Sequence, residues 1–255
     1  MGHVYALANQ KGGVGKTTTA VSLADGLAIR GQRTLLIDVD PQANATSSLG
    51  FDKHHIERSM YAALLQDVPL RDILLPTPRP QLALAPSAPT LAGAEVDLVS
   101  ELGREYRLRD ALAAVRDDYD YVIIDCPPSL GLLTINALAA ADGVIIPVQC
   151  EYLPLEGLAM LMQTIELVRR RLNPRLTIQG VMMTMYDGRT NLAQQVVGEV
   201  RDHFGARLFS TIVPRSVRLS EAPSFGRTIF QYAPSSPGGV AYARLADELL
   251  ARDSR

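Results

Sequence analysis

The sequence has few of the residues that define several classes of protein. Its 255 residues include no tryptophan and only two cysteines, too few for a disulfide-stapled scaffold. No run of about 18 apolar residues occurs, and the N-terminus lacks the charged segment and apolar core of a signal peptide. Apolar residues make up 47% of the chain and charged residues 20%, which excludes disordered and fibrous classes. We therefore expect a soluble, cytoplasmic globular protein.

Lysine is also scarce, and its positions are informative. The chain contains 22 arginines but only three lysines, and two of these, Lys11 and Lys16, lie in one short loop. Charge is uneven along the chain: residues 1–165 carry a net −7, whereas residues 166–227 contain ten arginines and five acids. With an overall net charge of −2, the composition neither requires nor excludes binding to nucleic acid.

Apolar runs alternate with helical periodicity along most of the chain. The runs predict strands at Val4–Ala8, Thr34–Ile37, Tyr121–Ile124, Val144–Val148, Ile178–Met185 and Leu208–Val213. Helical spacing predicts helices at Lys16–Ile29, Leu132–Ala141, Pro154–Arg171, Leu192–Phe204 and Gly239–Ala251. Proline-rich residues 66–100 are predicted to form loops, a short helix and one strand at Leu82–Ala85. The alternation predicts an α/β fold, a mostly parallel twisted sheet with helices on both faces, in one domain over residues 1–255.

A glycine-rich loop joins the first predicted strand to the first predicted helix. A loop in this context exposes backbone N–H groups at a helix N-terminus, which is a ready site for phosphate. Its glycines let the backbone close around the phosphate, Lys16 can reach the β- and γ-phosphates, and the Thr17 hydroxyl can bind Mg²⁺. The predicted ATP-binding residues of this loop are Lys11, Gly12, Gly13, Val14, Gly15, Lys16, Thr17 and Thr18.

The loop departs from the standard phosphate-binding motif at two positions. Gln10 stands where the first glycine is usual, and Lys11 directly precedes the glycine pair. Because the loop contacts its own phosphates through backbone N–H groups and Lys16, Lys11 is poorly aimed at them. We expect Lys11 to serve a phosphate on a facing subunit.

Carboxylates follow two of the predicted strands. Asp38 and Asp40 come at the end of the second strand, and Asp125 ends the Tyr121–Ile124 strand. The carboxyl ends of parallel strands meet at one edge of a sheet, where the glycine-rich loop is also expected. Residues two apart in a strand point to the same face, so Asp38 and Asp40 can both approach a metal and the γ-phosphate. Asp125 is expected to hold Mg²⁺ directly or through water.

Several segments together resemble a known family. The runs KGGVGKTT, DVDPQAN, IIDCPPS, MYDGRT and PRSVRLSEAPSFGRTI are similar to those of the deviant Walker A ATPases of the ParA/Soj/MinD group, closest to small chromosomal ParA (Soj) proteins. The resemblance implies a P-loop NTPase that uses ATP and Mg²⁺, forms a homodimer on ATP and binds double-stranded DNA without sequence specificity. It also implies chromosome or plasmid partitioning, stimulation of ATP hydrolysis by a ParB-type partner, and a location on the nucleoid.

The resemblance also implies roles for individual residues. Lys11 matches the lysine that reaches across the dimer to the partner's ATP, and Asp40 the residue that orients the attacking water. With Lys16, these form the predicted catalytic set. The implied metal-site residues are Thr17, Asp38 and Asp125. Pro214 and Ser216 border the adenine pocket, with Ser216 in place of the family's asparagine. The short N-terminus predicts no helix-turn-helix domain.

Four arginines are candidates for DNA contact. They fall in loops near predicted strand ends or in a short segment, and phosphate-backbone binding requires such residues on one surface. Whether they share a face or are solvated surface residues is left open by the sequence. The four are Arg189, Arg215, Arg218 and Arg227. The Arg169–Arg171 cluster at a predicted helix end suits the helix dipole.

The sequence also bears on two other functions and on two other candidate sites. A membrane-cycling ATPase of the MinD type requires a basic amphipathic C-terminal helix, whereas residues 245–255 carry three acids and two bases. We therefore expect no stable membrane association. A polymer-forming scaffold timed by ATP remains an alternative. Cys126 and Cys150 are interpreted as buried apolar residues rather than cluster ligands, and His54 and His55 as a solvated loop.

Overall fold

A computed structural model describes residues 2–151 and 155–254. The fold is built on one eight-stranded sheet with the order β3-β4-β2-β5-β1-β6-β7-β8, in which only β3 and β4 pair antiparallel. The strands are β1 (His3–Leu7), β2 (Thr34–Asp38), β3 (Leu75–Pro76), β4 (Leu82–Ala85), β5 (Tyr121–Asp125), β6 (Gly143–Gln149), β7 (Thr177–Tyr186) and β8 (Leu208–Pro214). The predicted α/β fold with a mostly parallel sheet is confirmed.

Helices cover both faces of the sheet, as the continuous apolar runs of the strands require. The described helices are α1 (Lys16–Ile29), α2 (Asn44–Ser48), α3 (Met60–Leu65), α4 (Ala94–Asp97), α5 (Arg107–Ala113), α6 (Leu132–Ala140), α7 (Leu155–Arg171), α8 (Asn191–Phe204), α9 (Val217–Glu221), α10 (Ile229–Tyr232) and α11 (Pro237–Asp253). One apolar core lies under α1, α10 and α11. A second core, on the opposite face, lies under α3 and α5–α8.

The long predicted elements are observed with small shifts at their ends, and the short strand Leu82–Ala85 is observed as predicted. The segment 66–100 contains the predicted short helix, α4, and in addition a strand that was not predicted, β3, which pairs with β4. Helices α2, α3, α5, α9 and α10 were not predicted, because four to seven residues span too few turns to show a helical period. Of the predicted helix Pro154–Arg171, Pro154 lies outside the described residues.

The register of three strands determines where the functional segments meet. Strand β5 lies between β1 and β2, and its last residue, Asp125, is aligned with Leu7 of β1 and Asp38 of β2. The loop after β1 and the two aspartates therefore share one edge of the sheet. No helix in the described part of the chain is both long and apolar enough to span a bilayer.

Candidate nucleotide-binding site

The loop between β1 and α1 has the conformation of a phosphate cradle. Gly13 and Gly15 adopt left-handed backbone angles, with φ of 75° and 89°, a region that favours glycine. Gly15 is the N-cap of α1, and no side chain caps this helix end. The N–H groups of the first turn of α1 are therefore available to an anion, and the helix dipole favours negative charge there.

Two side chains outside the motif hold this loop in place. The Asn9 amide donates to the Pro147 carbonyl (2.7 Å) and accepts from the Lys11 N–H (3.0 Å). From β7, the buried Thr184 hydroxyl donates to the Val14 carbonyl at 2.8 Å. Sequence analysis missed Thr184, because a threonine within an apolar strand carries no local signal of a contact 170 residues away.

Lys16 is buried at the floor of the loop, while Lys11 is exposed at its rim. Only 6% of Lys16 is exposed, and its Nζ donates to the Lys11 carbonyl at 3.3 Å. Burial lowers the pKa of Lys16 below its ordinary value, and the negative charges of Asp125 and Asp40 oppose that change. The ammonium group thus lies among carboxylates in a desolvated site, where its attraction to phosphate is strong.

Asp125 is the most unusual group in the site. Its carboxylate is fully buried, and neither oxygen has a hydrogen-bond partner among the described residues. Burial, followed by the nearby charge of Asp38, raises its pKa well above the ordinary value, while the neighbouring Thr17 hydroxyl and Lys16 act in the opposite direction. Buried carboxylates are normally paired or bound to a metal. Asp125 beside Thr17 has the chemistry of a cation site.

Asp38 differs from Asp125 because its oxygens are already engaged. They accept hydrogen bonds from the Asp40 N–H (3.1 Å), the Thr46 N–H (2.8 Å) and the Thr46 hydroxyl (2.8 Å). Burial raises the pKa of Asp38, and the bonds from Thr46 partly offset that rise. The place of Asp38 near the metal shell stays a prediction. In this structure Asp38 holds the loop after β2 in position.

Asp40 lies in that loop, close enough to Lys16 and Asp125 to affect the pKa of both. Its Oδ1 accepts from the Gln42 N–H at 2.9 Å, and its backbone carbonyl accepts from the Ser87 hydroxyl at 2.7 Å. The Ser87 N–H donates in turn to the Thr46 hydroxyl. Thr46 and Ser87, which sequence analysis missed, thus connect Asp38 and Asp40 to the chain after β4.

A cavity of about 580 Å³ extends from the start of α1 toward the chain after β8. Its lining includes five residues of the predicted nucleotide site, together with two cations that sequence analysis did not place there. The lining includes Gly15, Thr17, Thr18, Pro214, Ser216, Lys53 and Arg215. Pro214 and Ser216 therefore line the same cavity as the end of the glycine-rich loop. Gly12 is exposed, and a Cβ added at this position would lie 4.0 Å from the Pro128 side chain.

The four candidate DNA-contact arginines are all exposed, and most are paired. Arg189 bonds Asp187 at 2.6 Å, Arg218 bonds Glu221 at 2.8 Å, and Arg215 pairs with Glu151. Among the described residues, no acid pairs with Arg227. The Arg215 N–H donates to the Tyr186 carbonyl, which brings the chain after β7 and the chain after β8 together. The cluster Arg169–Arg171 ends α7, at the other edge of the sheet from the glycine-rich loop.

The remaining titratable candidates have no place in the site. Burial raises the pKa of both thiols, that of Cys150 to about 12, so neither cysteine is a thiolate. His54 and His55 are exposed, and His55 bonds Asp52 at 2.7 Å. Within residues 2–151 and 155–254 no group of three or more His, Cys, Asp or Glu side chains could hold a metal ion.

Comparison with known proteins gives consistent matches over the whole chain. A family described as "AAA domain" matches residues 2–178. The chain is 54% identical to the chromosome partitioning protein ParA of Myxococcus xanthus, over 100% of this chain and 90% of that protein. It is 53% identical to the sporulation initiation inhibitor protein Soj of Bacillus subtilis, over 98% and 99% of the two chains. Identity to the chromosome-partitioning ATPase Soj of Thermus thermophilus is 56%, over 97% and 95%.

Solved structures show the same fold. A crystal structure named as cobyrinic acid a,c-diamide synthase from Mycobacterium smegmatis, with bound ADP and magnesium, has a TM-score of 0.88 and 40% identity, and covers 100% of this chain and 96% of that one. The septum site-determining protein MinD from Pyrococcus horikoshii, complexed with Mg-ADP, has a TM-score of 0.81 and covers 98% of each chain. At 24% identity, this second likeness concerns the fold alone.

Proposed function

Because the chain belongs to the ParA/Soj family of chromosome-partitioning P-loop ATPases, we propose that it hydrolyses ATP to ADP and phosphate in a Mg²⁺-dependent cycle that partitions a chromosome or plasmid. The observation that carries the proposal is the buried carboxylate of Asp125, without a hydrogen-bond partner among the described residues, beside Lys16 and Thr17. The name of the M. smegmatis relative describes a synthase, but the partitioning proteins are more similar in sequence at 53–56% identity.

The residues present fit ATP and Mg²⁺. The N–H groups at the start of α1 and the Lys16 ammonium are suited to the phosphates, and the cavity reaches Pro214 and Ser216, where the adenine would lie. Thr17 and Asp125 would hold the metal, with Asp38 positioning the loop that carries Asp40. When bound, Mg²⁺ neutralises charge on the phosphate oxygens. A relative at 40% identity was crystallised with ADP and magnesium, which supports this assignment.

Phosphoryl transfer to water requires a nucleophile in line with the γ-phosphate and charge stabilisation around it. Lys16 is fixed at the floor of the site and stabilises the charge that develops on the phosphate oxygens. Asp40 is 6% exposed and close to Lys16 and Asp125. Its carboxylate accepts a hydrogen bond from the attacking water and so orients it.

The exposed Lys11 side chain suggests how a second subunit takes part. Its backbone is fixed by Asn9, whereas its side chain lies at the rim, next to exposed Gly12. We therefore propose that Lys11 contacts the ATP of a facing subunit and that ATP binding drives dimerisation. The ATP-bound homodimer then binds double-stranded DNA without sequence specificity on the nucleoid, through Arg189, Arg215, Arg218 and Arg227. A ParB-type partner stimulates hydrolysis.

The central test compares two variants in the same assays. Lys16→Ala removes the main cation for the phosphates, so Mg²⁺-dependent ATP binding, measured calorimetrically, should be abolished. Asp40→Ala leaves the phosphate contacts intact, so ATP binding should persist while hydrolysis falls by about two to four orders of magnitude. Wild-type affinity in Lys16→Ala would remove the phosphate-binding assignment. Normal turnover in Asp40→Ala would reassign orientation of the water to another group.

Two alternatives predict different behaviour. A membrane-cycling ATPase would float with liposomes in the presence of ATP, whereas we expect no stable membrane association. A polymeric scaffold would form open assemblies with ATP in the absence of DNA, whereas we expect a discrete dimer by light scattering.

A further inference from the structure

The third lysine of the chain, Lys53, lies in the nucleotide cavity but outside the glycine-rich loop that carries the other two. It follows α2 in the chain and is half-buried. Its Nζ donates to the Gln42 carbonyl at 2.9 Å. A charged donor bonds a carbonyl more strongly than a neutral one does, so this contact restrains the loop after β2.

The loop that Lys53 contacts contains a strained residue. Ala43 is fully buried and adopts left-handed backbone angles, with φ of 52° and ψ of 38°. This conformation is unfavourable for a residue with a Cβ, whereas glycine adopts it freely. Such angles persist only where the surrounding contacts hold them. The contacts around Ala43 therefore determine the shape of the loop.

One peptide unit connects Lys53 to this strain. The Gln42 carbonyl and the Ala43 N–H belong to the same planar peptide, whose orientation sets the φ of Ala43. Lys53 bonds the carbonyl of this peptide, and the Asp40 carbonyl accepts from its N–H at 2.8 Å. The Gln42 N–H, in the preceding peptide, donates to the Asp40 carboxylate at 2.9 Å. A rotation of the peptide that relieved Ala43 would therefore break a bond to Asp40 and move it.

We propose that Lys53 is a positioning residue, which keeps the peptide between Gln42 and Ala43 in its strained orientation and thereby holds Asp40 in place. The role rests on the proposed function, in which Asp40 orients the attacking water. Lys53 acts through the loop and not on the phosphates, which the N–H groups of α1 and Lys16 bind. Loss of the contact therefore slows hydrolysis without weakening the binding of ATP.

The kinetic test separates these two effects. Lys53→Met keeps an unbranched side chain and removes the donor, so kcat should fall about fivefold, the effect of one lost hydrogen bond, while the calorimetric Kd for ATP stays unchanged. Lys53→Arg retains a donor and should keep a kcat near that of the wild type. The matched control, Arg58→Met, removes an exposed cation that lines a different cavity and should hydrolyse ATP as the wild type does.

A second substitution tests the orientation of the peptide itself. Ala43→Gly removes the strain, so the loop no longer depends on Lys53 to keep its shape. The double variant Ala43→Gly/Lys53→Met should therefore recover most of the kcat that Lys53→Met loses. A role of Lys53 in stability alone would not produce this recovery.

The hydrogen bond from Ala43 to Asp40 has a test that needs no ATP. Amide hydrogen exchange of the nucleotide-free protein, followed by NMR, reports how often this bond opens. Exchange of the Ala43 N–H should be about fivefold faster in Lys53→Met than in the wild type. The double variant should exchange slowly again.

Four results would each overturn the proposal. The first is an equal kcat for Lys53→Met and Arg58→Met. The second is a raised Kd for ATP at unchanged kcat, which would make Lys53 a direct ligand of the nucleotide. The third is a loss of kcat that neither Lys53→Arg nor Ala43→Gly recovers, and the fourth is unchanged exchange of the Ala43 N–H in Lys53→Met. A wild type without any hydrolysis would instead reject the proposed function, and the exchange result would still decide whether Lys53 holds the peptide.

Discussion

At the scale of single residues, the two buried aspartates at the sheet edge differ in their hydrogen bonding. Asp38 and Asp125 occupy aligned positions on neighbouring strands, and both are fully buried. Asp38 accepts three hydrogen bonds, whereas Asp125 has none among the described residues. An unsatisfied buried carboxylate destabilises the fold until a cation reaches it, while a satisfied one stabilises its loop. An aspartate at the end of β5 is therefore suited to bind a cation, whereas the aspartate at the end of β2 stabilises the loop that follows it.

This contrast predicts opposite effects of two identical substitutions. Asp125→Asn removes the desolvated charge and should stabilise the nucleotide-free protein by about 1–3 kcal/mol, since burying an unpaired polar group costs that much. Asp38→Asn places an amide N–H₂ or a weaker acceptor against the Thr46 donors and should destabilise by a similar amount. Thermal unfolding without nucleotide measures both, with about 2–4 °C expected per kcal/mol.

Addition of ATP and Mg²⁺ supplies the control for that pair. Ligand that binds only the folded state raises the melting temperature. Wild type and Asp38→Asn should both gain stability, whereas Asp125→Asn should lose the magnesium-dependent part of the gain. A lower melting temperature for nucleotide-free Asp125→Asn than for wild type would mean that the carboxylate already has a stabilising partner.

At the scale of elements, α11 protects the edge of the sheet at β8. The Glu248 carboxylate accepts hydrogen bonds from the Ser210 N–H (2.7 Å) and the Thr211 N–H (2.9 Å), and Arg252 donates to the Leu208 carbonyl (2.8 Å). The Arg252 guanidinium also stacks on the Phe209 ring at 3.9 Å. Backbone groups of an edge strand that are covered in this way cannot pair with another chain. Side chains of α11 thus bond backbone groups of β8 that a neighbouring strand would otherwise bond.

Glu248→Ala should therefore destabilise the protein and promote association. The change leaves two N–H groups of β8 unpaired and removes an ion pair of Arg252, with an expected cost of about 1–3 kcal/mol. The matched control is Glu199→Ala, an exposed acid on α8. Urea unfolding measures the stability, and static light scattering measures the association. Equal stability of the two variants would show that water replaces the carboxylate at no cost.

At the scale of the whole molecule, the rim of the glycine-rich loop and the exposed arginines are where a second subunit and DNA would act. Gly12 and Lys11 are exposed together, so the proposed dimer contact lies at the mouth of the nucleotide site. Among the residues described, three of the four candidate arginines are held by acids of the same chain. Of these four arginines, only Arg227 presents a charge to a duplex that no acid of the described residues compensates.

Gly12→Val tests the contact between subunits. Since a Cβ at this position meets only the Pro128 side chain at 4.0 Å, the variant should fold and bind ATP. Its branched side chain projects where Lys11 of a facing subunit must approach, so it should stay monomeric. Light scattering with a non-hydrolysed ATP analogue distinguishes the outcomes. Robust ATP-dependent dimers would reject the role of Lys11 across the interface.

DNA binding should depend on ATP and on salt. Two subunits double the arginines available to one duplex, and each neutralised phosphate adds about 0.9 to the slope of log affinity against log salt. Changing Arg189, Arg218 or Arg227 singly to Glu should lower the affinity and the slope in a salt titration with a non-hydrolysed analogue. Arg215→Glu requires a parallel ATP-binding assay, because Arg215 lines the nucleotide cavity.

Arg227→Glu should have the largest effect of the four, because no acid pairs with Arg227 among the described residues. An unchanged slope in all four variants would move the footprint elsewhere, with Arg169–Arg171 tested next. DNA binding by the wild type that does not depend on ATP would reject the proposed ATP-driven switch.

The sequence by itself determined the features that depend on neighbours along the chain. The glycine-rich loop, the aspartates at two strand ends and the long strands and helices all follow from local backbone preference and periodicity, and all lie where predicted. Only the tertiary structure decided that Asp38 is satisfied and Asp125 is not, because Thr46 of α2, itself bonded by the Ser87 N–H, donates to Asp38. It also decided that Thr184 supports the loop and that most candidate arginines are paired. The contact of Thr184 with Val14, that of Ser87 with Thr46 and the pair Arg215–Glu151 join residues far apart in sequence, and no local pattern encodes them. The pairs Arg189–Asp187 and Arg218–Glu221 are local, but whether such neighbours pair depends on side-chain conformations that the sequence does not fix.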